Sequence, residues 1–154
     1  MNDNTKKIKK ITEDFIKRIS ADVQINVLPI KDSTVFIEIK TQNPQIFIGQ
    51  GSEALAAAQH LLRAILKKTF DNLLYVDLDV NGYKKIRKEY LKELAVSTAN
   101  EVSLSKRAKT LAPMNSYERR VIHMELSQRP DVVTESGGQG IDRKVTIKPA
   151  SSPL

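Results

Sequence analysis

The sequence predicts an α+β protein made of two small modules, and three observations carry that prediction. Its 154 residues suffice for one domain or two small ones and fall short of a large barrel or doubly wound enzyme. Up to Val80 the apolar spacing switches between helical and period-two patterns in the order α-β-β-α-α-β. Gly82 then marks a boundary, after which two helical patterns are followed by two strand patterns.

Each element rests on its own signal. Ile8, Ile11, Phe15, Ile16 and Ile19 recur at helical spacing among polar neighbours, which predicts an amphipathic helix over 4–20. Val23, Ile25 and Val27 alternate with polar residues, and Val35, Ile37 and Ile39 do so again beyond the turn Lys31-Asp32-Ser33. Such runs predict a β-hairpin with one covered face. Asn43-Pro44 breaks the second strand and opens a short turn through Ile48. Gly49-Gln50-Gly51-Ser52 follows, ahead of an alanine-rich helix over 53–68 with the stripe Leu55, Ala58, Leu62, Ile65 and Leu66. His60, within that helix, reads as a half-buried structural residue. A third strand is predicted over 73–80, with Asp77 and Asp79 on the face opposite Val76, Leu78 and Val80.

In the second module a helix is predicted over 83–106, with Ile86, Tyr90, Leu94, Ala95, Ala99 and Val102 on its apolar side. A short extended piece at 109–111 leads to Pro113. Asn115 is a natural N-cap, and Glu118 three residues later completes a capping box for a helix ending near Gln128. Two strands are predicted at 132–135 and 143–148, joined by the loop Ser136-Gly137-Gly138-Gln139-Gly140. The boundaries are therefore 5–81 for the first module and 82–148 for the second, each with a three-stranded sheet backed by helices. Residues 149–154 hold no core formers and are expected to be a frayed tail.

Composition narrows the function. Cysteine is absent, which removes disulfides, thiolate metal sites and cysteine nucleophiles and fits a reducing compartment. Only two histidines occur, with no metal-binding motif around them, so no metal or other cofactor is expected. No apolar run approaches the roughly 20 residues that span a bilayer, and the N-terminal lysines have no apolar stretch behind them. Neither membrane insertion nor export is expected. The 25 Lys+Arg against 18 Asp+Glu leave a net charge of +7. Residues 1–20 carry +3, 21–82 carry −2, 83–110 carry +5 and 111–154 carry +1. A basic surplus held in two segments attracts polyanions, although a solvated lysine-rich helix face is the plain alternative.

Three places merit weighing as sites. Gly49 to Ser52 opens a helix, where exposed amides bind phosphate; the alternative is a tight turn with Ser52 as an ordinary N-cap. The helix after Asn115 places Ser116, Arg119, Arg120, His123 and Ser127 on one polar face, with Arg119 and His123 four residues apart. A guanidinium fork beside an imidazole suits an anion that bridges them. A solvated face with a stray histidine is the alternative. The third is the glycine loop 137–140, for which a flexible hairpin turn is favoured. No nucleophile–base pair or cofactor loop is present, so catalysis is not expected.

The run Leu111-Ala-Pro-Met-Asn-Ser-Tyr-Glu-Arg-Arg-Val-Ile-His123, with Val133-Thr-Glu-Ser-Gly137 and Arg143-Lys-Val-Thr-Ile147, closely resembles an Arg-x-x-x-His domain. It is similar to the one in the bacterial Jag family, also called SpoIIIJ-associated or KhpB proteins. The stretch from Ile48 to Leu62, within its α-β-β-α-α-β order, resembles that family's type II KH domain, so the resemblance covers about residues 5–148. It implies a cytoplasmic protein that binds single-stranded RNA, or single-stranded DNA, without catalysis. Carried over residue by residue, the signature pair is Arg119 and His123, with Arg120, Arg87 and Arg143 at basic positions of the pattern. Lys84 and Lys88 of the preceding helix lie on the same expected path. The KH clamp maps to Gly49, Gln50, Gly51 and Ser52, where Ser52 replaces the final glycine and no basic residue is present. Arg63, Lys67 and Lys68 further along that helix are the nearest compensating charges. Family members often carry a further small N-terminal domain and linker, and no counterpart of either is expected here. A rival reading makes the KH module an adaptor that docks another small KH protein or membrane-insertion machinery.

Overall fold

The computed structural model describes residues 3–72 and 75–151. The chain divides into two compact units, Met1–Lys84 and Lys85–Leu154. The first contains α1 (Asp3–Ile16), β1 (Gln24–Val27), β2 (Thr34–Lys40), α2 (Pro44–Ile48), α3 (Glu53–Thr69) and β3 (Tyr75–Val80). Its sheet has the order β1-β2-β3, with β2 antiparallel to β1 and parallel to β3. An antiparallel pair needs only a tight turn, whereas the parallel pair needs a crossover, which α2 and α3 supply.

Alternation decides which face is covered. Val35 lies opposite Val76, Ile37 opposite Leu78 and Ile39 opposite Val80, and all six are buried. Ile8 and Ile16 of α1 join Leu55, Leu62 and Leu66 of α3 in the same core. Burying each such side chain stabilises the unit by about 1.5–3 kcal/mol. The hydroxyl of buried Thr12 donates to the Ile8 carbonyl at 2.8 Å, so this polar group is satisfied inside the core. The hairpin turn is tight because Asp32 and Ser33 both adopt positive φ, at 48° and 58°.

Several expectations shift here. The first helix stops at Ile16, and Ile19 is exposed. His60 is exposed rather than half-buried, since it lies on the opposite side of α3 from Leu55, Leu62 and Leu66. Residues 73 and 74, predicted to open the third strand, lie outside the described residues.

The second unit holds α4 (Tyr83–Ser105) from Lys85 onward, β4 (Lys109–Thr110), α5 (Ser116–Leu126), β5 (Val132–Gly137) and β6 (Lys144–Pro149). Its sheet has the order β4-β6-β5 with antiparallel pairings throughout. Val121, Ile122 and Leu126 of α5 pack with Val145 and Ile147 of β6 and with Leu91, Ala95, Ala99 and Val102 of α4. The predicted apolar side of α4 holds at Leu94, Ala95, Ala99 and Val102 but not in the first turns, where Ile86 is 66% and Tyr90 51% exposed. One residue is about 100° of helix, so Leu91 takes the inward place assigned to Tyr90. Small Ala95 and Ala99 then allow close packing.

Pro149 and Ala150, expected to belong to a frayed tail, are instead held by the sheet. Pro149 sits opposite Val132, and the Ala150 N–H donates to the Asp131 carbonyl at 2.9 Å. Strand pairing therefore orders a segment that has no core former of its own, while 152–154 lie outside the described residues. Among the described residues no helix is long and apolar enough to cross a membrane.

Candidate nucleic-acid interface

Helix α5 is fixed at its start by the predicted capping box. The Asn115 side chain accepts from the Glu118 N–H at 2.9 Å, and the Glu118 carboxylate accepts from the Asn115 N–H. Glu118 is 3% exposed and also holds Arg87 of α4 at 2.7 Å. A buried carboxylate without a cation is costly, so Arg87 binds the two helices together. Its guanidinium also lies over the Tyr90 ring, 5.3 Å from the centroid. Of the basic positions carried over from the resemblance, Arg87 is the one committed to the inside of its unit.

The polar face expected on α5 resolves into two. Arg119 and His123 face β5 and the segment before the helix. Arg119 Nη1 donates to the Met114 carbonyl at 2.7 Å. Both nitrogens of His123 meet hydroxyls of β5, Nδ1 at Thr134 and Nε2 at Ser136, each at 2.6 Å. Burial, and then the positive charge of Arg119, hold the imidazole pKa below its ordinary 6.5. At neutral pH the ring is uncharged, with one nitrogen donating and the other accepting.

Arg120 points the other way. With Tyr117 and Met124 it forms an i, i+3, i+7 stripe facing Lys88 and Lys92 of α4. These residues line an open groove of about 410 Å³, whose lining also includes the carboxylate of Glu125. Lys88 and Arg120 are exposed. Tyr117 and Met124 were missed by the sequence reading, as were the hydroxyls of Thr134 and Ser136. The first pair was readable from its spacing to Arg120; the second required knowing which strand lies beside α5.

Arg143 is exposed, and its Nη1 donates to the Gly138 carbonyl at 3.1 Å. Gly138 has φ +88, and a Cβ there would lie 2.9 Å from the Asp142 carbonyl oxygen. The glycine loop is therefore a tight turn whose shape demands glycine, and Arg143 closes it.

In the first unit Gly49, Gln50, Gly51 and Ser52 form the bend between α2 and α3. Gly49 has φ +70, and a Cβ there would meet Ala54 Cβ at 2.7 Å; Gly51, at φ +60, faces open space. Ser52 caps nothing. It adopts φ +66, and its hydroxyl pairs with the Tyr83 hydroxyl at 2.6 Å. Lys84 is turned to its own unit, where its ammonium meets the carboxylate of Asp77 and, at 2.9 Å, Gln59 Oε1. Arg63 stacks over Tyr75 at 4.9 Å from the ring centroid, and Lys67 and Lys68 occupy the last turn of α3. The bend itself carries no cation.

Residues 89–149 match the family of Arg-x-x-x-His domains. The RNA-binding protein KhpB of Clostridium symbiosum is 37% identical over 111 residues, covering 72% of this chain and 50% of that protein. KhpB of Bacillus subtilis is 32% identical over 116 residues, covering 74% of this chain and 56% of its own length. For KhpB of Lactiplantibacillus plantarum the values are 33% over 111 residues, 72% of this chain and 34% of that protein. The chain thus spans between 34% and 56% of these relatives. Residues 89–149 thus form an Arg-x-x-x-His domain, and over about three quarters of its length the chain is similar to the KhpB proteins, in line with the Jag resemblance read from its motifs.

Proposed function

We propose that the protein binds single-stranded RNA in the cytoplasm and performs no chemistry on it. The observation that carries this reading is α5, a helix locked by its capping box and apolar stripe that presents basic side chains on both exposed flanks. On one flank Arg119 keeps guanidinium N–H groups beyond the one spent on Met114. On the other, Arg120 stands with Lys88 and Lys92. Phosphates neutralised by these groups release counterions, which drives binding and makes it salt-dependent. Arg143, just ahead of the central strand β6, accepts from the Met114 N–H through its backbone carbonyl and so extends the basic surface on the Arg119 side. The relatives' name, RNA-binding protein, supports RNA as the polyanion.

The first unit is read as a type II KH module. Its element order, its mixed three-stranded sheet and the bend at Gly49–Ser52 between two helices support that assignment. The bend is then a second backbone contact, through Gly49, Gln50, Gly51 and Ser52. Because it has no cation of its own and Lys84 is neutralised by Asp77, a second reading stands for this unit: an adaptor surface for another small KH protein.

Fluorescence anisotropy with mixed-sequence single-stranded RNA, matched DNA and duplex RNA across a salt series tests the proposal. The expected result is preference for the single-stranded RNA, with a log–log salt slope of about 0.7 per phosphate contacted, and a large loss in Arg119→Ala/His123→Ala. Absence of binding at low salt, or binding that the double variant leaves intact, would move the reading to the adaptor.

A further inference from the structure

We infer that the groove between α4 and α5 of the second unit is a subsite for one unpaired base, with Tyr117 as its stacking platform. The inference rests on the RNA-binding reading and adds where a base goes once the phosphates are held.

Tyr117 is 57% and Met124 63% exposed, although the chain has only four tyrosines, four phenylalanines and no tryptophan. An aromatic ring and a thioether left in solvent on the same stripe, with Val121 beside them, form the apolar α5 side of one cleft opposite the lysines of α4. The volume of about 410 Å³ is within the range of about 300–1,000 Å³ typical of small-ligand clefts. Its rim is basic: Lys88, Lys92 and Arg120 face a single lining carboxylate, Glu125. Neither Lys88 nor Arg120 has an ion-pair partner among the described residues, and Lys92 has only an exposed one, 3.9 Å from Glu89. An apolar side bordered by three cations matches a nucleotide, which offers a flat π face and a phosphate on either side. An aliphatic peptide helix would satisfy the apolar side and leave the cations without counterparts.

Stacking of this kind tolerates every base because each has a π face, so the subsite should add affinity with little sequence preference. It is independent of Arg119 and His123, which face the Met114 carbonyl and the hydroxyls of β5 respectively.

The test uses the full chain and two RNA strands of equal length, one with bases and one in which every nucleotide is abasic. Both keep all phosphates. Wild type should bind the abasic strand at least about fivefold more weakly. Tyr117→Ala and Tyr117→Leu should lose a similar factor on the base-bearing strand, nothing on the abasic strand, and keep the salt slope. Tyr117→Phe should bind as wild type does. Since Tyr117 is exposed, Tyr117→Leu keeps apolar bulk there and guards against a folding artefact. If Tyr117→Leu binds the base-bearing strand as tightly as wild type, the subsite is overturned and the RNA reading survives. If wild type binds no RNA at low salt, both fall.

Discussion

The hydroxyls of Ser52 and Tyr83 lie 2.6 Å apart and join the start of α3 to the first residue of α4. Ser52 holds a left-handed backbone, φ +66, where an L side chain is strained by about 1–2 kcal/mol. The hydrogen bond, worth about 1 kcal/mol, offsets much of that strain and explains how a serine is held at a position whose backbone favours glycine. A double-mutant cycle with Ser52→Gly and Tyr83→Phe should therefore show a coupling of about 0.5–1.5 kcal/mol. Urea unfolding followed at amides of the first unit measures it, and strictly additive single effects would contradict the offset.

The two glycines of the bend should respond differently to substitution. Gly49→Ala drives a methyl to 2.7 Å from Ala54 Cβ at positive φ, and should destabilise the first unit by about 1–3 kcal/mol. Gly51→Asp has open space, and aspartate tolerates the left-handed region better than most residues. It should stay folded and weaken RNA binding by charge repulsion. Gly51→Asp is therefore the variant that asks whether the bend touches RNA; unchanged affinity would remove it from the interface.

Arg87 and Arg120 should separate stability from binding. Arg87→Ala leaves Glu118, 3% exposed, without its 2.7 Å partner. The expected cost is about 2–4 kcal/mol in the second unit. Arg120→Ala, in an exposed position, should change stability by less than about 0.5 kcal/mol and lower the salt slope by about 0.7 if it holds one phosphate. Thermal unfolding and anisotropy on the same samples distinguish them. A stable Arg87→Ala protein with a lowered salt slope would reverse the assignment.

His123 should give pH dependences of opposite sign in stability and in binding. Its pKa in the folded chain lies below 6.5, through burial first and Arg119 second. Between that lowered value and 6.5 the unfolded chain binds more protons, so stability falls as pH drops through this window. A phosphate that displaces the Ser136 hydroxyl and meets the ring would instead favour the imidazolium, so RNA affinity should rise as pH falls below about 6.5. His123→Ala should flatten both profiles. Binding that is equally pH-dependent in the alanine variant would leave His123 as only a tie between α5 and β5.

Much of this molecule is legible in its sequence, because it is written in local codes. Alternation in 35–39 and 76–80 implied one covered face, and the register of β2 on β3 shows it. Asn115 and Glu118 announced a helix start that both capping bonds confirm. On α4 the reading held for Ala95, Ala99 and Val102 and failed in the first turns, because Ile86 and Tyr90 lie on a stripe next to that of Leu91 and composition cannot say which of the two faces inward.

By itself the sequence determined the order of most strands and helices, where the basic charge concentrates, and that Arg119 and His123 stand one turn apart. Those properties depend on residues close along the chain. Only the tertiary structure decided what the charged groups do. It set Arg87 on the buried carboxylate of Glu118, Lys84 on Asp77, and both nitrogens of His123 on β5 hydroxyls. It also turned Arg120, one residue from Arg119, into a separate groove with Lys88 and Tyr117. The physical reason is that a charge acquires its role from the partner within a few ångströms, and the partners of Arg87 and His123 come from other elements.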